Sequence, residues 1–515
     1  MLLKRLLRAT ERLSAVGLLA AVLVSNTAEA QPFAYVTDSD PCFLSPFNRC
    51  VSVIDTATNS YKAPVFVNIG GTRAFTNGVA VTPDGTRVYV TATVILGAFA
   101  VGRAVLVIDT STNMQTGTIT ISSGCTGRIA IAPDGRRAYV VGSGAVCVID
   151  IDPIPSNALN YNREISASGI PITTPYQGDG IAITPNGMFA YLAPAVTLAP
   201  PDFVQVINIG SATPSVSSPI SSASLPLGAS FLGAIAITPD GRRAFVPVTN
   251  LPPPSPPPLI RVQNGFATID TVSNSVSCPP VNFSNVFFRS PRPLSIATTP
   301  DGSRAYAVTV ESIEMITIPN PPSGCSTTTP VAALNIPLGG TGGGGQIAIA
   351  PDGKHAYIAA SQNHAVYVFD TDRGSPPGSN PNFNTLLSAM RVGETHGIAI
   401  TPPCITVDLQ IDNGQVPPTG QDSKHLQVAI LSNLAFTAPT SVDTTKPLTF
   451  GLTGNEQSLI AGSCQAKDAN KDGLPDLVCS FNNGIAGLQP GATAVLKGTT
   501  ISGMCIQGEL TIPPK

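Results

Sequence analysis

The hydrophobic positions of this chain fall into short alternating runs separated by tight turns, and one such unit recurs through most of the sequence. Gly78-Val-Ala-Val-Thr-Pro-Asp-Gly-Thr-Arg-Val-Tyr-Val90 is followed by Arg128-Ile-Ala-Ile-Ala-Pro-Asp-Gly-Arg-Arg-Ala-Tyr-Val140, and the unit returns at Gly180, Ala234, Ser295 and Gln346. The spacing is roughly 50 to 60 residues, that of repeats built from one supersecondary unit each. Ile129-Ala-Ile131 alternates large and small apolar residues, as a strand covered on both faces requires. Pro-Asp-Gly predicts a tight turn: Pro presets φ, Asp bonds nearby backbone, and Gly accepts a positive φ. Arg137-Ala-Tyr-Val140 is the returning strand. A third strand follows, written Val51-Ser-Val-Ile-Asp-Thr56, Val105-Leu-Val-Ile-Asp-Thr110, Val146-Cys-Val-Ile-Asp150 and Val366-Tyr-Val-Phe-Asp370. A fourth is weaker, as in residues 63–69.

Four antiparallel strands per unit describe one blade of a β-propeller. The two ends of the repeat region are out of phase. Phe33-Ala-Tyr-Val-Thr37 is a second strand with no first strand before it, and Gly397-Ile-Ala-Ile-Thr401 is a first strand with no second after it. Paired together they complete one blade, so six internal units plus this composite predict a seven-bladed ring closed by its own chain ends. An open solenoid is the alternative, and complementary ends argue against it. The repeat stops at Thr401, and Pro402-Pro403 and Cys404 mark a boundary. Beyond it, Ile405 to Gln410, Leu426 to Leu431, Leu474 to Phe481, Ala494 to Leu496 and Cys505 to Ile512 read as strands of a β-sandwich-like module. The expected division is 1–30, 31–403 and 404–515.

Ala236-Ile-Thr-Pro-Asp-Gly-Arg-Arg-Ala-Phe-Val246, followed by Val-Ile-Asp-Thr elements, resembles the YVTN family of β-propeller repeats found in exported bacterial and archaeal proteins. The resemblance runs from about Pro32 to Pro402. It implies the fold and an exported address. It implies no single activity, because related propellers include lactonases, dehydrogenase subunits and surface-layer binding modules.

Composition changes this picture little. Trp is absent, and charged residues are only 11% of the chain; few charges with 47 Gly, 49 Pro and many Val, Ile and Thr argue for many short strands joined by tight turns. A net charge of -3 gives no reason to expect nucleic acid. The first thirty residues carry Lys4, Arg5, Arg8 and Arg12, then an apolar stretch from Leu13 to Val24, then Ala28-Glu29-Ala30 before Gln31, the order of a secretory signal peptide. No later stretch is long and apolar enough to span a bilayer. The expected location is therefore periplasmic, cell-surface or extracellular. All 10 Cys follow that segment. In an oxidising compartment Cys42 with Cys50, Cys125 with Cys147 and Cys464 with Cys479 are candidate disulfides. Leu251-Pro-Pro-Pro-Ser-Pro-Pro-Pro258 reads as a stiff spacer loop, and Gly339 to Gly345 as a glycine-rich one.

Chemistry is sparse. By register, Asn77, Arg128, Asp179, Gly233, Leu294, Gln346 and His396 stand at the entry to the first strands, at one mouth of the central channel. Asn77, Arg128, Asp179, Gln346 and His396 are candidate ligand-binding residues there; the alternative is that they are solvated loop residues. A lactonase-like hydrolase needs a base and an oxyanion-stabilising cation, for which Glu394 or His396 and Arg128 are the candidates. The four His have no zinc-ligand spacing, and Cys-x-x-Cys, Cys-x-x-Cys-His and Gly-x-Ser-x-Gly are absent. His355 is expected beside a turn, and the pairs Arg136-Arg137 and Arg242-Arg243 at the opposite rim. The sharpest local motif is Asp468-Ala-Asn-Lys-Asp-Gly-Leu-Pro-Asp476. Asp468, Asn470, Asp472, Asp476 and the Leu474 carbonyl could ligate Ca²⁺. Cys479 stands where an EF-hand carries Glu, so the closer resemblance is to Asp-x-Asn-x-Asp-Gly-x-x-Asp loops on hairpins and in dockerin-like repeats. The alternative is an Asx-rich turn without metal. The reading that follows is an exported, non-catalytic scaffold binding a protein, glycan or small molecule. A lactonase-like enzyme is the alternative, and an electron-transfer accessory subunit is a third possibility weakened by the missing cofactor motifs.

Overall fold

The computed structural model describes residues 32–512 apart from loop segments, the longest being 39–48, 153–160, 195–202, 251–263, 283–292, 320–330, 335–344, 412–424 and 483–490. The leader, Cys42 and the proline-rich loop lie outside the described residues, as does the glycine-rich run apart from Gly345. The protein is all-β. Among the described residues, seven antiparallel sheets of four or five strands are formed before residue 404, and two further sheets, one of them mixed, after it. In the first group the innermost strands touch in cyclic order: Thr395–Ile400, Arg73–Val81, Cys125–Ile131, Gly178–Ile183, Ala236–Ile237, Pro293–Thr298, Gln346–Ile349, and back to Thr395–Ile400. The fold is that of a β-propeller. One sheet is made from both ends of the repeat region: Phe33–Asp38 pairs antiparallel with Arg49–Asp55 on one side and Thr395–Ile400 on the other. Among the described residues, no helix is long and apolar enough to cross a membrane.

The Thr-Pro-Asp-Gly turn closes as its residues demand. Gly85 has φ +69° and donates its N–H to the Thr82 carbonyl at 2.8 Å, while Asp84 Oδ1 accepts the Thr86 N–H at 3.0 Å. These turns also pack in series around the ring: a Cβ at Gly135 would lie 3.7 Å from Pro83 Cδ, and one at Gly241 3.2 Å from Pro185 Cδ. The rim arginines divide. Arg136 pairs with Asp152 at 3.4 Å, as expected of a rim residue. Arg304, after the equivalent turn, is instead buried and donates to the Thr371 carbonyl of the next sheet at 2.7 Å. His355 opens the strand His355–Ala360 and is half-buried.

The second-strand tyrosine and the Asp-Thr-x-x-Asn turn after the third strand prove to be partners across sheets. Asp55 Oδ1 accepts the Ala57 and Thr58 N–H groups, and Asp270 Oδ1 those of Val272 and Ser273. The bend so formed leaves the closing Asn in the left-handed region at Asn59, Asn113 and Asn274; Asn162 and Asn384, which end longer connections, adopt it too, and all five have φ between 49° and 61°. Each accepts the hydroxyl of a buried tyrosine from the preceding sheet. Tyr35 reaches Asn113 at 2.5 Å, Tyr89 reaches Asn162 at 2.9 Å and Tyr306 reaches Asn384 at 3.0 Å. Tyr191 pairs with Asn274, and Tyr357 with Asn59. Where the fifth unit carries Phe245, the hydroxyl is gone; there Arg243 Nη2 donates to the Pro319 carbonyl at 2.9 Å.

The expected fourth strand at 63–69 is two short pieces, Ser60–Tyr61 and Val65–Val67, both on Arg49–Asp55. The expected strand from Ile405 to Gln410 is likewise broken. Ile405–Thr406 pairs parallel with Cys505–Thr511, whereas Leu409–Ile411 pairs with His425–Ile430, so the chain changes sheet at Val407 and Asp408. The two sheets after residue 404 share one core, with Val428, Ile430, Cys479 and Phe481 from one and Phe450, Leu496 and Ile506 from the other. This is a sandwich. Cys125–Cys147 and Cys464–Cys479 are disulfides, as expected. Cys50 is also disulfide-bonded.

Burial pushes the Tyr191 hydroxyl up to about 12, the Asp270 charge adding to the effect. Burial likewise pushes Tyr306 up to about 12, with Arg304 opposing. A tyrosine in the unfolded chain ionises near 10. The folded state holds the proton more tightly, so this contribution is complete below about pH 10 and is lost as pH rises through about 12. The melting temperature should therefore fall steeply between those values. Tyr191→Phe should cost about 1 kcal/mol at neutral pH, the worth of one buried hydrogen bond, and should flatten the alkaline fall. An unchanged alkaline limb in the variant would contradict the assignment.

Candidate functional site

The first strand of each propeller sheet has one edge paired to its own sheet and the other facing the channel. Backbone groups on such an edge need partners, and side chains from other sheets supply several of them. Thr37 Oγ1 donates to the Asn77 carbonyl at 2.8 Å, and Thr91 Oγ1 to the Gly127 carbonyl at 2.9 Å. Asn77 Nδ2 donates to the Thr126 carbonyl at 3.1 Å. Gln346 Oε1 accepts the Ile398 N–H at 3.3 Å, and Ser295 Oγ accepts the Ile347 N–H at 3.3 Å. Arg128 makes the longest reach, Nη1 donating to the His396 carbonyl at 2.7 Å across an intervening sheet. The close approach needs glycine: a Cβ at Gly78 would lie 2.9 Å from the Gly127 carbonyl oxygen, and one at Gly397 2.7 Å from that of Asn77.

Of the five candidate ligand-binding residues read from the sequence, Asn77, Arg128 and Gln346 lend side chains to this bonding and His396 its carbonyl; Asn77 and Arg128 fall within Arg73–Val81 and Cys125–Ile131, Gln346 and His396 at the start of their strands. Asp179 belongs to the strand Gly178–Ile183, and its side chain lies outside the described residues. Glu394 is half-buried on the turn before Thr395–Ile400. The turn is anchored by Asp38, which is fully buried and accepts the Gly393 N–H through Oδ2 at 2.8 Å. Arg128 meets His396 through the backbone carbonyl. Thr37, Thr91, Ser295 and Asp38 were missed by the sequence reading; Thr37 and Thr91 share one signal, a threonine after Tyr-Val in the second strand.

In the last sheet, the hairpin of Gln465–Lys467 and Asp476–Asn482 is closed at its base by Cys464–Cys479. Its loop folds on its own side chains. Asp468 Oδ1 accepts the Asp472 N–H at 3.2 Å and Oδ2 the Gly473 N–H at 3.1 Å. Asn470 Oδ1 also accepts the Asp472 N–H, at 3.1 Å, and Asp472 Oδ1 accepts that of Leu474 at 2.8 Å. Asp476 turns inward. It is 0% exposed, and its two oxygens accept the Ser432 and Ala469 N–H groups at 2.7 and 2.9 Å. The oxygens gathered at the exposed turn are those of Asp468, Asn470 and Asp472, with Asp476 tying the loop to the domain. No group of three His, Cys, Asp or Glu side chains suited to a metal occurs among the described residues, so a cation here would depend on amide and carbonyl oxygens as well.

No family model matches this sequence, and no curated protein matches it. Solved structures do match at low identity. A candidate 6-phosphogluconolactonase from Bacteroides uniformis is 13% identical, with a TM-score of 0.50 over 72% of this chain and 99% of its own. The periplasmic gluconolactonase of Pseudomonas aeruginosa is 13% identical, with a TM-score of 0.48 over 72% and 99%. The Cps50 (Swd1) β-propeller domain of Myceliophteria thermophila is 14% identical, with a TM-score of 0.41 over 61% and 86%. At such identities the likeness is one of fold, the propeller.

Arg128→Met should lower stability by about 1 kcal/mol, because it removes a charge-assisted bond that is only half-buried. Chemical denaturation checks this. A variant as stable as the parent would return Arg128 to the solvated-loop reading.

Proposed function

We propose that this chain is an exported, non-catalytic propeller of the YVTN type, presenting its channel-mouth loops to a protein, glycan or small-molecule partner. The observation that carries the reading is the Arg128 bond to the His396 carbonyl at 2.7 Å. With Asn77 and Gln346 likewise engaged on backbone groups, the polar side chains of the mouth bind neighbouring sheets together. A hydrolase would instead aim such groups at a reacting atom. Export is supported by the disulfides Cys125–Cys147 and Cys464–Cys479, which suit an oxidising compartment. The segment 1–30 is its signal peptide in this reading, and 404–515 a separate module.

One observation favours the lactonase-like alternative: the same bond brings a guanidinium next to the His396 backbone, two residues from Glu394. Hydrolysis of D-glucono-1,5-lactone and of 6-phosphogluconolactone separates the readings. The scaffold reading expects no protein-dependent rate. A rate that falls at least a hundredfold in both Glu394→Gln and Arg128→Ala would overturn it in favour of the enzyme.

The loop of the last sheet is read as a Ca²⁺ site, with Asp468, Asn470 and Asp472 giving side-chain oxygens and Leu474 its carbonyl. Asp476, placed among the ligands by the sequence pattern, acts here by fixing the loop to Ser432 and Ala469. A site that binds only the folded state adds about 2.7 kcal/mol at a hundred times its dissociation constant. Thermal unfolding in excess Ca²⁺ and in chelator should differ in one transition, and Asp472→Ala should abolish the difference. Superimposable curves would leave the loop an Asx-rich turn.

A further inference from the structure

We propose that the groove between the outer strands of two adjacent sheets, Val65–Val67 of one and Met114–Thr120 of the next, binds a neutral, hydroxyl-rich glycan chain. The site is separate from the channel mouth and does not rest on the reading given to it. The groove holds about 730 Å³ and lies open to solvent. That volume is in the range of ligand sites, and an open groove accepts a chain laid along it.

The lining selects the class of ligand. The ten described residues that line the groove include no charged side chain, so an ionic ligand would shed water with no counter-charge among them to meet it. Phe66 is 51% exposed and Met114 64% exposed. Both leave apolar surface in water that the C–H face of a sugar ring would cover. Beside them stand the side-chain amides of Asn68 and Asn113 and the hydroxyl of Thr118, groups that donate and accept as sugar hydroxyls do, with Gln115 holding Asn68 and Thr118 in place.

These groups are held in place before any ligand arrives. Gln115 Oε1 accepts the Asn68 N–H at 2.9 Å, and its Nε2 donates to the Asn68 carbonyl at 3.0 Å and to Thr118 Oγ1 at 2.9 Å. The side chain therefore joins one sheet to the next as a short piece of strand would. Asn113 is fixed by its left-handed backbone and by the Tyr35 hydroxyl on its Oδ1. Such preorganisation lowers the entropy lost on binding.

An extended peptide adding as a further strand is the competing occupant, and the edge is poorly shaped for it. Val107 pairs with Gly117 and Ile108 with Gln115, so Thr116 is an extra, bulged residue in the middle of the groove. A bulge twists an edge and interrupts the regular row of backbone groups that a new strand must meet. A ligand read by side chains is favoured over one read by backbone.

Affinity electrophoresis of the full chain tests the proposal, in gels containing xyloglucan, mixed-linkage β-glucan, amylopectin or dextran, with alginate as the charged comparison. At least one neutral polysaccharide should retard the protein. Phe66→Ala and Gln115→Ala should each weaken that retardation at least tenfold, and the remote, exposed Val272→Ser should leave it unchanged. No retardation in any neutral gel, retardation in alginate alone, equal retardation of the groove variants, or binding of a random octapeptide pool in place of glycan would overturn it. Circular dichroism verifies folding; should Gln115→Ala not fold, Phe66→Ala and Met114→Glu, both at exposed positions, carry the same test.

Discussion

At five junctions among the described residues, adjacent sheets of this propeller are joined by a tyrosine hydroxyl delivered to an asparagine in the left-handed region, and much else in the repeat serves that bond. At Asn59, Asn113 and Asn274 an aspartate four residues earlier turns the backbone with its own carboxylate, as Asp55 and Asp270 do for the two N–H groups that follow them. Asparagine tolerates that region better than most residues with a Cβ. The aspartate is adapted to the task. Asp270 is held below the usual carboxylate range by the Ser273 N–H, against the opposing effect of burial, with the Ser273 hydroxyl and the Val272 N–H assisting. The tyrosine rings fill the spaces between sheets, where the largest buried side chains are Tyr35, Tyr89, Tyr139, Tyr191, Tyr306 and Tyr357. One residue type thus provides apolar volume and a polar tip that finds its partner at the far side of the interface.

The channel poses the opposite problem, too many backbone groups on too small a circumference. The solution is distributed. Thr37, Thr91, Ser295, Asn77 and Gln346 each satisfy one backbone group of the adjacent sheet, and Arg128 one of the sheet beyond it. Glycines such as Gly78 and Gly397 let the backbones come close enough for those short side chains to reach. The hydroxyls and amides spent on these inner strands follow from this geometry.

The fold was legible because each unit repeats a complete argument: an alternating strand, a Pro-Asp-Gly turn, a return strand with its tyrosine, and an Asp-Thr end. The pairing of Phe33–Asp38 with Thr395–Ile400 could be read from two ends that were each incomplete. What could not be read were relations between units. Tyr35 and Asn113, or Arg128 and the His396 carbonyl, are distant in sequence and meet only once the ring exists. The inward turn of Asp476 was hidden for a different reason. Alternating oxygen side chains announce a loop that can surround a cation, but not that one member is used as a cap for Ser432 and Ala469. The break between Ile405–Thr406 and Leu409–Ile411 was hidden too, because a strand that changes sheet keeps the hydrophobic pattern of a continuous one.

The sheet shared by the two ends of the repeat sets an order on assembly. Each other propeller sheet is drawn from one continuous stretch, so its pairings close short loops as the chain grows. Phe33–Asp38 can complete its own pairing only with residues 395–400. The Phe33 N–H, for example, bonds Thr401 Oγ1, 368 positions away. Loop-closure entropy rises with the logarithm of such a separation, and contacts of this kind slow folding. Until the last repeat arrives, the first one presents an unpaired strand edge, the surface most prone to pair with another molecule. The contact that joins the two ends of the repeat region is therefore also the pairing that must wait longest for its partner as the chain is made.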